Sequence, residues 1–173
     1  LFRSLENRMQ CLYNLKRIGY QTGAGFMVGS PFQTSEMLVK DLKFIEKLSP
    51  EMCGIGPFVP HKDTKFKNEN HGDVSLVLML LSIIRLLKPN ILLPATTALG
   101  TVDPLGREKG ILHGANVVMP NLSPVKHRKD YSLYDNKICT GDEAAQCIGC
   151  LADRMKKIGC EIVTDRGDYK ADI

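Results

Sequence analysis

The sequence predicts an α/β fold, namely the C-terminal half of a parallel (β/α)8 barrel of the TIM type. Segments typical of strands alternate with segments that have helical spacing, four times along the chain. The strand segments are apolar throughout instead of alternating with polar residues, which indicates a parallel sheet buried on both faces. Four such units are half of an eight-unit barrel, although a small doubly wound domain would produce the same pattern.

The first two units follow a leading helix. Apolar residues have helical spacing over 4–18, and Gly19 is suited to end that helix. The segment 22–28 has the pattern of a strand and ends in loop residues, after which Thr34 can cap a helix that extends to Pro50. A second strand over 52–55 ends at a Gly-Pro pair and opens a long polar loop.

The last two units are shorter. Asp73 can cap a nearly all-apolar helix over 74–87, and a third strand is predicted at 91–95. A Gly-containing turn then leads to a short helix over 107–113 and a fourth strand over 116–119. We predict a final helix over 142–158.

The chain is expected to be one portion of a single domain, 1–173, whose last segment, 136–173, carries a cysteine cluster. Leu5, Met9 and Leu12 have the spacing of a buried helical face directly after a first residue that is not methionine. An open half-barrel would expose two strand edges. We therefore expect a partner for this chain, the N-terminal half of the barrel, and a chain that begins inside structure.

Composition excludes several functional classes. The longest apolar run, 74–87, is interrupted by polar residues, and no signal peptide is visible, so no membrane association is expected. A net charge of +4 with one short basic cluster, 126–129, fits a solvated loop or an anion-facing rim better than a nucleic-acid partner. Six cysteines without a secretory signal indicate a reducing compartment, which predicts a cytoplasmic protein.

The functional residues of a parallel barrel lie where its strands end. The predicted strand ends carry Met27, the segment 52–56, the pair Thr96 and Thr97, and Met119. They contain no carboxylate pair and no Ser/His/Asp arrangement, so no catalytic acid, base or nucleophile is assigned to this chain. Methionine suits the lining of a large organic or organometallic ligand, although ordinary core packing would explain any single methionine equally well.

Two further patterns point to ligands. Arg8 interrupts the first helix and could clamp a carboxylate, although a solvated arginine is the default. Cys147 and Cys150 lie on one face of the predicted last helix, and Cys139 precedes them in the pattern C-x7-C-x2-C. Three thiolates in this pattern can bind an iron–sulfur cluster or a zinc ion, and unligated thiols are the alternative.

Four strand-end motifs carry a resemblance to a known family. They are TGAGFMVGSPFQT at 22–34, MCGIGPFVPHKDT at 52–64, PATTALGT at 94–101 and GANVVMPN at 114–121. Together they resemble the C-terminal half of the HydE family, the radical S-adenosylmethionine (SAM) maturases of [FeFe]-hydrogenase, which are relatives of biotin synthase and methylornithine synthase. The resemblance extends over nearly the whole chain.

The resemblance implies a radical SAM enzyme whose barrel holds SAM and a [4Fe-4S] cluster. Reductive cleavage of SAM would generate a 5′-deoxyadenosyl radical that acts on an organometallic precursor during maturation of the hydrogenase H-cluster. Other hydrogenase maturation proteins are the implied partners.

The resemblance also implies roles for individual residues. SAM would be contacted by Arg8, Met27, Met52 and Ile55. The substrate end of the cavity would be formed by Thr96, Thr97, Met119, Tyr131 and Tyr134. Cys139, Cys147 and Cys150 would bind an accessory [2Fe-2S] or [4Fe-4S] cluster that some members carry.

One departure limits what the chain can do alone. The motif C-x3-C-x2-C, which binds the SAM cluster in the family, is absent from this sequence. We therefore expect the isolated chain to be inactive. The alternatives are another radical SAM enzyme, similar to methylornithine or biotin synthase, and a non-catalytic iron–sulfur or interaction domain.

Overall fold

The computed structural model describes residues 4–131, 133–138, 144–163 and 165–170, which form an α/β fold with parallel strands. The elements follow in the order α1 (Leu5–Arg17), β1 (Gly23–Val28), α2 (Ser35–Leu48), β2 (Met52–Pro57), α3 (Val74–Leu87), β3 (Pro94–Ala95), α4 (Thr97–Val102), α5 (Gly106–Leu112), β4 (Val117–Val118), a 3₁₀ helix (Val125–Tyr131) and α6 (Ala144–Lys156).

The strands pair in parallel and in chain order. β1 pairs with β2 so that Gly25 lies opposite Gly54, and β3 pairs with β4. An isolated parallel bridge between Met52 and Leu92 joins the two pairs, with the Cys53 amide donating to the Leu92 carbonyl at 2.9 Å. The parallel α/β class is confirmed, whereas the four-unit barrel stays a prediction.

The hydrophobic core lies on the side of the strands that α2 and α3 cover. Cys53 and Ile55 of β2 are buried there against Leu81 and Ile84 of α3 and against Ile45 of α2. Full burial of one such aliphatic side chain stabilises the fold by roughly 1.5–3 kcal/mol. α3 is apolar nearly all round, but only part of it enters this core, and Met79, Leu86 and Leu87 are exposed in the described chain.

The opposite side of β1 is open in the described chain. Gly23, Gly25 and Met27 are exposed, while the residues between them are partly buried. The prediction of strands buried on both faces is therefore wrong for β1. An apolar strand sequence reports the environment of the assembled sheet, and the described residues cover only one of its faces.

Three caps agree with the sequence. Thr34 and Asp73 accept backbone N–H bonds at the starts of α2 and α3, and Gly19 has a positive φ just beyond α1. In contrast, α1 has no buried residue, so the predicted buried face with Leu5 is wrong for the described chain. None of the described helices is long and apolar enough to cross a membrane.

The third unit differs most from its prediction. β3 contains only Pro94–Ala95, and the segment predicted as a turn after it is the helix α4, in which Leu99 is fully buried. The glycine and threonines of α4 have weak helix propensity, and the burial of Leu99 and the cap by Thr96 outweigh it. The predicted helix at 107–113 is confirmed as α5.

Candidate functional site

A cavity of about 610 Å³ opens at the carboxyl ends of β1 and β2, beside the start of α4. This volume is in the range of small-molecule sites. The lining is mostly apolar, with polar groups from His61, Thr64, Thr96 and Tyr134. Parallel α/β folds bind ligands at this end of their strands, so the cavity is the candidate functional site.

Glycines form the floor of this cavity. A Cβ atom on Gly25 would lie 1.9 Å from the carbonyl oxygen of Gly54, and one on Gly56 would lie 2.7 Å from Thr96 Oγ1. A Cβ on Gly54 would have nothing within 4 Å. The missing side chains leave a flat surface of backbone against which a planar ring can lie.

Aromatic side chains form one wall. Phe58 and Phe66 both line the cavity, and their rings meet edge to face with centroids 6.2 Å apart. Such a pair presents a rigid apolar surface. With the glycine floor, it gives the cavity two flat apolar surfaces.

The two threonines at the start of α4 have their acceptor sites engaged. The backbone N–H of Leu99 donates to Thr96 Oγ1 at 3.3 Å, and Arg107 Nη2 donates to Thr97 Oγ1 at 3.3 Å. Arg107 is only 2% exposed, so a positive charge lies buried beneath the site. Of the two, Thr96 lines the cavity, and its hydroxyl can still donate its own hydrogen to a ligand.

The segment 133–138 closes one side of the cavity. Leu133 and Tyr134 line it, and the Asp135 amide donates to the Pro60 carbonyl at 3.1 Å. At the other end of the segment, the Ile138 amide donates to Thr101 Oγ1 at 3.4 Å. These two bonds attach the segment to the loop after β2 and to α4.

Four of the predicted site residues meet at this cavity, namely Met27, Ile55, Thr96 and Tyr134. Ile55 is 1% exposed and also belongs to the hydrophobic core, so it supports the cavity wall from behind. Met27 is exposed on the open face of β1. The sequence thus predicted part of the lining, while the roles of these residues stay predictions.

The other predicted ligand contacts lie elsewhere in the described chain. Arg8 is exposed on α1, Met119 is exposed beyond β4, and Tyr131 is exposed at the end of the 3₁₀ helix. Thr97 lies behind Thr96, outside the cavity lining. The described fold does not bring these residues together.

The placement of Met52 at a strand end is wrong. Met52 is the first residue of β2 and pairs with Gly23, whereas Met27 pairs with Gly56 at the other end of the strands. Met52 instead lines a second cavity of about 600 Å³, together with Met155 of α6. Backbone bonding between the two segments continues toward their amino ends, where the Glu51 amide donates to the Thr22 carbonyl at 3.0 Å. Met52 is therefore not equivalent in position to Met27, which lies near the carboxyl end of β1.

The predicted cysteine site lies largely outside the described residues. Cys139 and the side chain of Cys147 fall there, and Cys150 is exposed on α6. Within the described ranges, no group of three His, Cys, Asp or Glu residues is placed to hold a metal ion. Cys53 is a core residue, and burial raises the pKa of its thiol to about 12, which disfavours the thiolate that metals require.

The helix that carries Cys147 and Cys150 is bound to α5 by an ion pair. Arg154 donates to both oxygens of Glu108, with Nε–Oε1 at 2.5 Å and Nη2–Oε2 at 2.6 Å. Burial opposes ionisation of Glu108, but the bonds from Arg154 hold the pKa of its carboxyl below the ordinary value. The pair fixes α6 against α5, and Arg154 also donates to the Pro104 carbonyl in the loop before α5.

The basic cluster is not simply a solvated loop. Arg128 is buried, and its guanidinium donates to the carbonyl oxygens of Ser123 at 2.8 Å and Asn121 at 3.0 Å. The loop after β4 is thereby folded around this side chain. Lys126 and His127 remain exposed.

Sequence reasoning missed several residues of the site. Arg107, His61 and Phe66 were not assigned, because burial and contact across the fold cannot be derived from their local spacing. The glycine floor had a signal, since glycine alternates in GAG of β1 and in GIG of β2.

Comparison with known proteins gives a match over nearly all of the chain. The chain is 46% identical over 167 residues, 96% of its length, to the [FeFe] hydrogenase maturase subunit HydE of Thermotoga maritima, and covers 48% of that protein. The chain matches the C-terminal half of HydE. The candidate site of this chain is built from β1, β2 and α4. The match to HydE covers 96% of the chain that contains these elements.

A more distant relative has a different activity. The chain is 25% identical over 157 residues to the 3-methylornithine synthase of Methanosarcina acetivorans, which is 86% of this chain and 42% of that protein. The chain thus spans about half the length of the curated relatives it matches, HydE included. No protein-family model matches the chain.

Proposed function

We propose that this chain is the part of a radical SAM enzyme that holds SAM and substrate during maturation of the [FeFe]-hydrogenase H-cluster. The 46% identity to HydE over 96% of the chain carries this proposal. The cavity supports it, because a glycine floor and an aromatic wall fit the nucleoside of SAM. The remaining strands of the barrel would come from an N-terminal half like that of the longer relatives.

SAM and a [4Fe-4S] cluster are the cofactors of this function, and when bound they supply a 5′-deoxyadenosyl radical. This chain's own residues would bind and orient. Met27 and Ile55 would contact the nucleoside, while Thr96 and Tyr134 would face the substrate. Arg107 would hold the Thr97 hydroxyl from behind. Arg8, Met119 and Tyr131 would reach the ligands only in the complete barrel, whereas Met52, at the opposite end of β2, is not proposed as a ligand contact.

The described residues also support a division of labour. The cavity contains no pair of carboxylates and no nucleophile with a base among its lining residues, so this part of the barrel would select and position ligands. The motif C-x3-C-x2-C is absent from the sequence, so we propose that the chain does not cleave SAM by itself. We place the protein in the cytoplasm, with other hydrogenase maturation proteins as partners.

The test uses the full-length gene product that contains this chain. Reconstituted anaerobically, it should cleave SAM to 5′-deoxyadenosine and should restore hydrogenase activity in a cell that lacks its own maturase. SAM cleavage without restored hydrogenase activity would reject the maturase and favour a radical SAM enzyme acting on an organic substrate. Such an enzyme is the second candidate, supported by the similarity to 3-methylornithine synthase.

An accessory iron–sulfur cluster on Cys139, Cys147 and Cys150 is a separate part of the proposal. The observation behind it is the spacing C-x7-C-x2-C, with the last two cysteines in α6. Substitution Cys147→Ser should remove the iron bound by this site, leaving only the iron of the SAM cluster in the full-length protein. Unchanged iron content would reject the cluster, and Cys11→Ser, in exposed α1, is the matched control.

A further inference from the structure

His61 is a polar side chain of the cavity to which no role has been given. It lies in the loop after β2, and 19% of its side chain is exposed. The backbone N–H of Asp63 donates to His61 Nδ1 at 3.1 Å. The His61 carbonyl oxygen accepts from the Thr64 amide at 3.0 Å and from the Thr64 hydroxyl at 2.9 Å. These bonds close a tight turn that holds the imidazole in place.

The bond from Asp63 determines the tautomer of the ring. A backbone N–H can only donate, so Nδ1 must accept, and the neutral imidazole carries its proton on Nε2. The Asp63 carboxylate is 3.8 Å from Nδ1, too far for a hydrogen bond. No residue in the described part of the chain accepts a hydrogen bond from Nε2.

We propose that His61 is a specificity residue, which donates a hydrogen bond from Nε2–H to an acceptor atom on the nucleoside of the ligand. This rests on the proposed function, which takes SAM as that ligand. The neighbouring wall of Phe58 and Phe66 is apolar, and the floor is glycine backbone. In such surroundings one fixed donor discriminates strongly, because a ligand without the matching acceptor leaves that donor unpaired.

Two substitutions separate the two nitrogens of the ring. His61→Asn places a side-chain oxygen near the position of Nδ1, so it can accept from the Asp63 amide, but its NH₂ is too short to reach the position of Nε2. His61→Gln places its amide NH₂ near the position of Nε2, so it can donate into the cavity but leaves the turn without its acceptor. Asp63→Asn is the matched control, since Asp63 acts through its backbone.

The experiment measures binding of S-adenosylhomocysteine to the full-length, cluster-reconstituted protein by equilibrium dialysis, with thermal unfolding in parallel. His61→Asn should weaken binding about tenfold, the loss of one neutral hydrogen bond, at an unchanged Tm. His61→Gln should bind within about threefold of wild type at a lowered Tm. The Asp63→Asn control should match wild type in both.

Ligand analogues locate the acceptor. The set contains the 1-deaza, 3-deaza, 7-deaza, 2′-deoxy and 3′-deoxy analogues of S-adenosylhomocysteine. One of them should bind wild type about tenfold more weakly than S-adenosylhomocysteine does, and His61→Asn should not weaken the binding of that analogue further. A tenfold loss with His61→Asn for every analogue would overturn the inference, as would equal binding of S-adenosylhomocysteine to wild type and His61→Asn. If wild type itself does not bind S-adenosylhomocysteine, the proposed function fails.

Discussion

Gly54→Ala should block the cavity without harming the fold. Gly54 lines the cavity floor, and a Cβ atom placed on it would meet no atom within 4 Å. The new methyl group would therefore point into the cavity that we propose holds the ligand. Gly25→Ala, on the neighbouring strand, would place its Cβ 1.9 Å from the Gly54 carbonyl oxygen. One substitution should thus affect only binding, and the other the fold itself.

The magnitudes follow from this geometry. An unobstructed methyl group on Gly54 reduces the entropy of the unfolded chain, so stability should be unchanged or increased by about 0.5 kcal/mol. A methyl group between ligand and floor acts as overpacking, which costs roughly 1–3 kcal/mol and weakens binding about tenfold to a hundredfold. For Gly25→Ala, the two strands must separate by over an ångström, which should destabilise the fold by about 3 kcal/mol or more.

Both effects can be measured on the full-length protein. Urea unfolding reports the stability of each variant, and equilibrium dialysis with S-adenosylhomocysteine reports binding. Gly54→Ala should unfold at the wild-type urea concentration or above it and should bind weakly. If Gly54→Ala binds as tightly as wild type, the glycine floor is not the ligand surface, and if Gly25→Ala is as stable as wild type, the described register of β1 and β2 is wrong.

Three further predictions concern stability, measured by urea unfolding. Glu51 is partly buried, which opposes its ionisation, but its bonds lower the pKa of its carboxyl. Its stabilising contribution should therefore be present above the ordinary carboxyl pKa of about 4.3 and lost as pH falls through the lower folded pKa. Glu51→Gln should flatten this pH dependence of stability. Arg154→Met should destabilise by roughly 3 kcal/mol, because it leaves the carboxylate of Glu108 buried without its partner. Leu81→Ala should cost about 2–5 kcal/mol because Leu81 is 0% exposed, whereas Leu86→Ala, at 82% exposed, should stay within about 0.5 kcal/mol.

Each of these predictions has an outcome that contradicts it. An unchanged acid transition in Glu51→Gln would mean that the bonds from Lys16 and Thr22 do not favour the ionised carboxylate. For Arg154, the control is Lys109→Met, which breaks a more exposed ion pair and should cost under about 1 kcal/mol of stability. Equal losses of stability in Arg154→Met and Lys109→Met would mean that burial does not strengthen the effect. Equal effects at Leu81 and Leu86 would contradict the described position of α3.

The long helices were predictable because local chemistry specifies them. Thr34 and Asp73 mark helix starts by their own hydrogen bonds, and the spacing of apolar residues in α2 fixes which side faces the core. α4 was missed because its residues favour a turn locally, and only contact with the core makes it helical. The open face of β1 could not be derived from its apolar sequence either, since covering a strand is a property of its neighbours.

The residues of the candidate site also fall into those that local patterns predict and those that only tertiary contacts reveal. Met27 and Thr96 were found because they lie beside the end of a strand or the start of a helix, which local patterns mark. Met52 was misplaced because an apolar run shows that a strand exists but not where its pairing begins. Arg107 and His61 were missed because their significance depends on burial and on partners distant in the sequence or hidden in a turn.

The sequence alone determined the parallel α/β class, the chemistry available at the strand ends and the resemblance to the HydE family, because these depend on residue types and their order. The tertiary structure decided which of the strand-end residues share a cavity, that glycines form its floor and that Met52 lies at the opposite end of β2. Strand register and side-chain burial set those features, and both arise from contacts between segments that the order of residues does not specify.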